Sequence, residues 1–68
     1  MNKPEFNKLP IAVQYALFEE YDIRDQKEME QLYNKNVTVT FLLNLVNRVR
    51  QESVNAIKEI DEFFRKLN

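Results

Sequence analysis

The most regular alternation of apolar and polar positions lies in the C-terminal stretch. Leu42, Val46, Val49, Ser53, Ala56, Ile60, Phe63 and Leu67 follow one another at alternating steps of four and three. Side chains at those steps share one face of an α-helix, so the pattern predicts a single helix over residues 38–67, about 45 Å long at 1.5 Å per residue. Its apolar face is broad at the start, through Val39, Phe41, Leu43 and Leu45, and again at the end, through Ile57 and Phe64. The middle is narrow, because Asn47, Arg48, Arg50, Gln51 and Glu52 leave little but Val49 to bury. A helix with two apolar ends and a polar waist is expected to pack on its own N-terminal helices with one end and on a second copy with the other. Ile57, Ile60, Phe63, Phe64 and Leu67 are the residues expected to hold that homodimer. The plainer alternative is a monomeric three-helix bundle. Ser53 interrupts the seam, and its hydroxyl could instead cap a separate last helix. Thr38 is the expected N-cap, with Val37 and Leu42 at the positions of a hydrophobic staple.

Upstream, residues 1–8 read as a mobile N-terminal arm whose one aromatic ring, Phe6, among polar neighbours, could tuck onto the core. Residues 9–68 form the single helical domain. Leu9-Pro10 starts the first helix, since proline disfavours helix before it and suits the first helical position. Over residues 10–21 the apolar side chains Ile11, Ala12, Val13, Tyr15, Ala16, Leu17, Phe18 and Tyr21 cover most of the circumference. Such a helix carries more apolar surface than two other helices can cover, which is a second reason to expect a partner. Asp25 followed by Glu28 is a capping-box-like pair that opens a second helix over residues 25–34, with Met29, Leu32 and Tyr33 facing inward. The prediction is an all-α domain of two short helices packed on one long C-terminal helix. Asn34 and Asn36 are expected to supply left-handed turn positions before it.

Length limits what such a core can do alone. With 68 residues the chain is one domain near the lower size limit for a self-sufficient core. It contains neither cysteine nor histidine, so disulfide staples and the usual zinc ligands are unavailable and association is the remaining stabiliser. Glycine is also absent, which rules out phosphate loops that need close backbone approach. No run is long enough to span a membrane and no export leader is visible, so a cytoplasmic protein with no membrane partner is expected.

The formal net charge is −1, yet residues 19–30 hold Glu19, Glu20, Asp22, Asp25, Glu28 and Glu30 against Arg24 and Lys27. This acidic corner, led by Tyr21, Asp22, Asp25 and Glu28, is the expected docking surface for another protein, with a solvated helix face as the bland alternative. Catalysis is not expected. The residues that most often act as nucleophile or general base are missing, and the only serine, Ser53, lies on the packing seam. Carboxylates such as Glu59 and Glu62 on adjacent turns look like ordinary surface pairs. No cofactor is called for.

One further pattern concerns DNA. Leu32, Asn36, Val37-Thr38, Leu42 and Leu45 stand roughly where a helix-turn-helix places its packing residue, turn, buried apolar, cap and recognition-helix interior. With Leu9-Pro10 and Tyr21 upstream, about 40 residues distantly resemble the promoter-binding helices of sigma factors. Leu32 stands where such motifs favour alanine, and Asn36 where they favour glycine. The resemblance implies a dimeric DNA-binding regulator, with Lys35, Thr40, Asn44 and Arg48 as contacts. Charge disfavours it, since few cations lie near that helix and the acidic corner would repel phosphate. The favoured expectation is a small non-enzymatic regulatory or adaptor protein that works by protein-protein interaction.

Overall fold

The computed structural model describes residues 3–67, with side chains for residues 3–66. A 3-10 turn at Phe6–Lys8 leads into four helices, α1 (Ile11–Tyr21), α2 (Gln26–Asn36), α3 (Val39–Glu52) and α4 (Val54–Leu67), and there is no strand among the described residues. The protein is all-helical, as the periodicity requires. It has four helices and not three, because the single helix expected over residues 38–67 is broken at Ser53, where the backbone is extended (φ −139°, ψ 121°). A straight helix of that span would be about 45 Å long, whereas the longest dimension of the body is 28 Å. Bending at Ser53 returns Ala56 and Ile60 to the core, where both are buried. Serine is suited to the break, since its hydroxyl and carbonyl both accept from the Ala56 N–H, at 3.4 and 3.2 Å, in place of the helical bonds given up.

Each helix end has a local cause. The Pro10 carbonyl takes the Val13 and Gln14 N–H groups at 2.9 and 3.0 Å and so starts α1. At the other end Asp22 adopts the left-handed conformation (φ 52°, ψ 45°). Its N–H donates to Glu19 O at 3.3 Å and the Ile23 N–H to Phe18 O at 3.0 Å, the paired bonds of a Schellman stop. Asp22 alone among the described residues has positive φ. Asn34 and Asn36, expected at left-handed positions, instead lie inside α2. The link from α2 to α3 needs no such residue, because Val37 and Thr38 are both extended. Asp25 caps α2 through Glu28 N at 2.9 Å, and Thr38 caps α3 through Phe41 N at 3.1 Å. Val37 and Leu42 are both buried beside the second cap, as the staple demands.

The core is continuous from one end of the chain to the other. Val13 and Leu17 of α1, Met29 and Tyr33 of α2, Leu42, Leu45, Val46 and Val49 of α3, and Ala56 and Ile60 of α4 pack with Phe6 and Leu9. Of the arm expected over residues 1–8, residues 1 and 2 lie outside the described residues. Phe6 is buried and meets Phe18 and Tyr33 edge to face, with ring centroids 5.8 and 5.6 Å apart. Lys3 Nζ donates to Tyr33 O at 2.7 Å and Val37 O at 2.8 Å, closing carbonyls at the end of α2 with a cation, the charge that a helix C-terminus favours. Tyr33 Oη in turn donates to Pro4 O at 2.6 Å. No buried side-chain nitrogen or oxygen among the described residues lacks a partner.

Candidate functional site

With the interior satisfied, function has to be sought on the surface. The acidic corner sits where α1 turns into α2. Asp22, Asp25 and Glu28 are exposed there, but two of the three carry structural duties, Asp22 as the left-handed stop of α1 and Asp25 as the cap of α2. Tyr21 is half-buried and turned toward α3, with its ring 6.0 Å from that of Phe41. Glu28 offers its backbone N–H to the cap and leaves its carboxylate to solvent.

A neighbouring surface emerges that the acidic count did not reveal. Val13 and Leu17 face the core, so the opposite side of α1 presents Ile11, Tyr15 and Glu19 in steps of four, one stripe on a helix, with Asp22 at the stop just beyond it. Ile11 is 54% and Tyr15 65% exposed. The stripe is therefore apolar over its first turns and acidic over its last. Its signal in the sequence is the apolar surplus around the circumference of α1.

The residues expected to hold a homodimer divide differently. Ile60 is wholly buried within its own chain, and Ile57, Phe63 and Phe64 are half-buried, the two phenylalanine rings lying 5.9 Å apart. In the bent chain Ile60 packs on the chain's own core, because the bend at Ser53 turns that face inward. The side chain of Leu67 lies outside the described residues. Two open grooves flank α4. One, of about 400 Å³, is lined by Val54, Ile57, Lys58, Asp61, Glu62 and Arg65. The other, of about 420 Å³, lies between Phe63 and Lys66 of α4 and Pro4, Glu5 and Lys8.

On α3, Thr40, Asn44 and Arg48 are exposed at one-turn intervals, and Lys35 is exposed at the end of α2. The guanidinium of Arg48 pairs with Glu20 of α1 at 3.2 Å, so the one cation of that stripe is matched by an anion. Arg50 likewise pairs with Asp61 of α4 at 3.1 Å. Phosphate would have to compete with Glu20 for Arg48.

Titration behaviour singles out one residue. Burial pushes the Tyr33 hydroxyl up to about 12, because the phenolate would be stripped of water. That shift belongs to the core and not to a cleft. Among the described residues no group of three or more acidic side chains is placed to hold a metal ion, and no helix is long and apolar enough to cross a membrane. No family model matches this chain, and no curated protein or solved structure proved significantly similar to it.

Proposed function

We propose that this chain is a small non-enzymatic regulatory or adaptor protein that acts by binding another protein, and that it does so as a homodimer held through its C-terminal helix. The observation that carries the binding reading is the pair Ile11 and Tyr15, more than half exposed one turn apart on a helix whose inner face is already spent on the core. Tyrosine contributes a large, rigid contact area at low entropic cost and is enriched among residues that dominate binding energy. Glu19 continues the same stripe, Asp22 stands at the stop just beyond it, and Glu28 lies beyond the turn, so the partner is a protein with an apolar recess flanked by basic groups. Binding and not catalysis is further supported by the lack of histidine and cysteine and by the use of the Ser53 hydroxyl as a hydrogen-bond acceptor.

The DNA-binding reading draws support from the exposed stripe Thr40, Asn44 and Arg48, and is outweighed by the Arg48–Glu20 pair. One experiment separates the two. The tagged chain and its Tyr15→Ser variant are used as bait in lysate, each split into nuclease-treated and untreated halves and read by mass spectrometry. The expected result is one protein retained at near-stoichiometric yield in both halves and lost with Tyr15→Ser. Recovery that vanishes after nuclease and ignores Tyr15→Ser would overturn the proposal and direct attention to Lys35, Thr40, Asn44 and Arg48.

A further inference from the structure

Two observations around Ser53 lead to the same conclusion. The first is register. Ser53 interrupts the helix with extended backbone, yet the buried positions Leu42, Val46 and Val49 before it and Ala56 and Ile60 after it keep the four-and-three alternation straight through the break. Two helices joined by a bend need no phase relation across it, whereas the seam of one continuous helix does. The second is exposure. Val54, the first residue beyond the break, is 85% exposed, more than any other large apolar residue among those described. It borders the groove on the outer face of α4 together with Ile57, and the bent chain gives it nothing to pack against.

We propose that two copies of this chain form a domain-swapped dimer, in which Ser53 straightens, α3 and α4 join into one helix, and each α4 docks on the body of the other copy. The proposal rests on the self-association put forward above and supplies its hinge and its docking surface. The surface that α4 vacates is filled by the α4 of the second copy, so the burial of Ala56 and Ile60 and the Arg50–Asp61 pair are remade between chains with the same partners. Shape and charge therefore match without adjustment. Straightening also restores the backbone hydrogen bonds that two helix ends forgo. The two joined helices cross beside their hinges, which is where Val54 and Ile57 then lie. Against this stands the loss of translational freedom on association, so the dimer grows with concentration. A connection of a single residue is the short hinge that favours such exchange.

Hinge variants measured by sedimentation over a range of concentrations test the proposal. Val54→Pro suits the bent form, since residue 54 opens α4 and Ser53 already has the extended backbone that a following proline requires. In a continuous helix the same proline would sit in the interior and break it. Ser53→Ala acts oppositely, because it removes the hydroxyl that caps the bent form and installs a better helix former. The wild type is expected to dimerise with rising concentration. Val54→Pro should abolish the dimer while keeping helical content and melting temperature, Val54→Ala should weaken it only in part, and Ser53→Ala should tighten it roughly tenfold. A mixture of Arg50→Cys chains and Asp61→Cys chains, treated with a short bismaleimide, should give covalent dimers linked from 50 to 61, in a chain that otherwise has no thiol. A wild type that stays monomeric throughout would overturn the dimer and the swap together. A dimer that survives Val54→Pro undiminished, or a mixture without the 50-to-61 link, would overturn the swap alone.

Discussion

Asp22 holds a conformation that costs most residues about 1–2 kcal/mol, and that aspartate, asparagine and glycine tolerate. In a chain without glycine, a side chain has to take the left-handed stop, and here it is Asp22 at φ 52°. Asp22→Gly is therefore expected to stabilise the protein by up to about 1 kcal/mol and Asp22→Lys to destabilise it by a similar amount. Thermal denaturation would register each as a shift of roughly 4–8 °C. Charge reversal meant to probe partner binding is better made at Glu28, which is exposed and contributes only its backbone to the cap. Tyr33 gives a second test. Its hydroxyl is raised from 10.0 to about 12 in the folded protein, so the folded state holds the proton more tightly than the unfolded state. The stabilisation is complete below pH 10 and is lost as pH rises toward 12. Denaturant melts of wild type and Tyr33→Phe should start about 1 kcal/mol apart at neutral pH through the lost bond to Pro4 O, and the gap should narrow across that window, since the variant lacks the titrating group.

At the scale of elements, the α4 docking is the contact on which a domain this small can least afford a loss. Ile60 is fully buried, and Ile60→Ala should cost about 2–5 kcal/mol, against a total stability of roughly 3–10 kcal/mol for a chain of this length. Circular dichroism melts should show the variant marginal or unfolded. Much of this level was legible beforehand. Pro10, Asp25 and Thr38 announced their helix starts by local chemistry alone, and the core face of α3 followed from spacing. The break at Ser53 was legible only as an alternative, because the apolar phase runs through it and phase reports a face without reporting whether the axis is straight. That the Phe6 ring could tuck onto the core was legible, but its partners Phe18 and Tyr33 were not, since that contact joins residues far apart in sequence. The candidate surface was read in part. Counting charge found the acidic corner, but only the orientation of α1 shows that Ile11 and Tyr15 face outward beside it.

For the molecule as a whole, the proposed interaction combines two kinds of contact, on the outer face of α1 and at the turn into α2. Apolar burial by Ile11 and Tyr15 sets how long a complex lasts, whereas Glu19, Asp22 and Glu28 set how fast it forms. Once the partner is in hand, surface plasmon resonance should show an association rate that falls with added salt and a dissociation rate little affected by it. Tyr15→Ser should do the reverse, speeding dissociation by at least tenfold, on the order of a lost contact residue of 1.4 kcal/mol or more. Because Tyr15 is 65% exposed, that variant should melt within about 0.5 kcal/mol of the wild type.

The groove bordered by Pro4 and Lys8 on one side and Phe63 and Lys66 on the other has a topological meaning as well as a chemical one. It brings the first described residues beside the last turn of α4, so the path of the backbone nearly closes into a ring. A short linker from 66 to 3 would complete that ring while keeping the Lys3 contacts to the end of α2, and Ser53, the single non-helical residue between α3 and α4, is where it could be reopened. In such a circular permutant α4 would come first and α3 last, with the same neighbours in space and no hinge left between them.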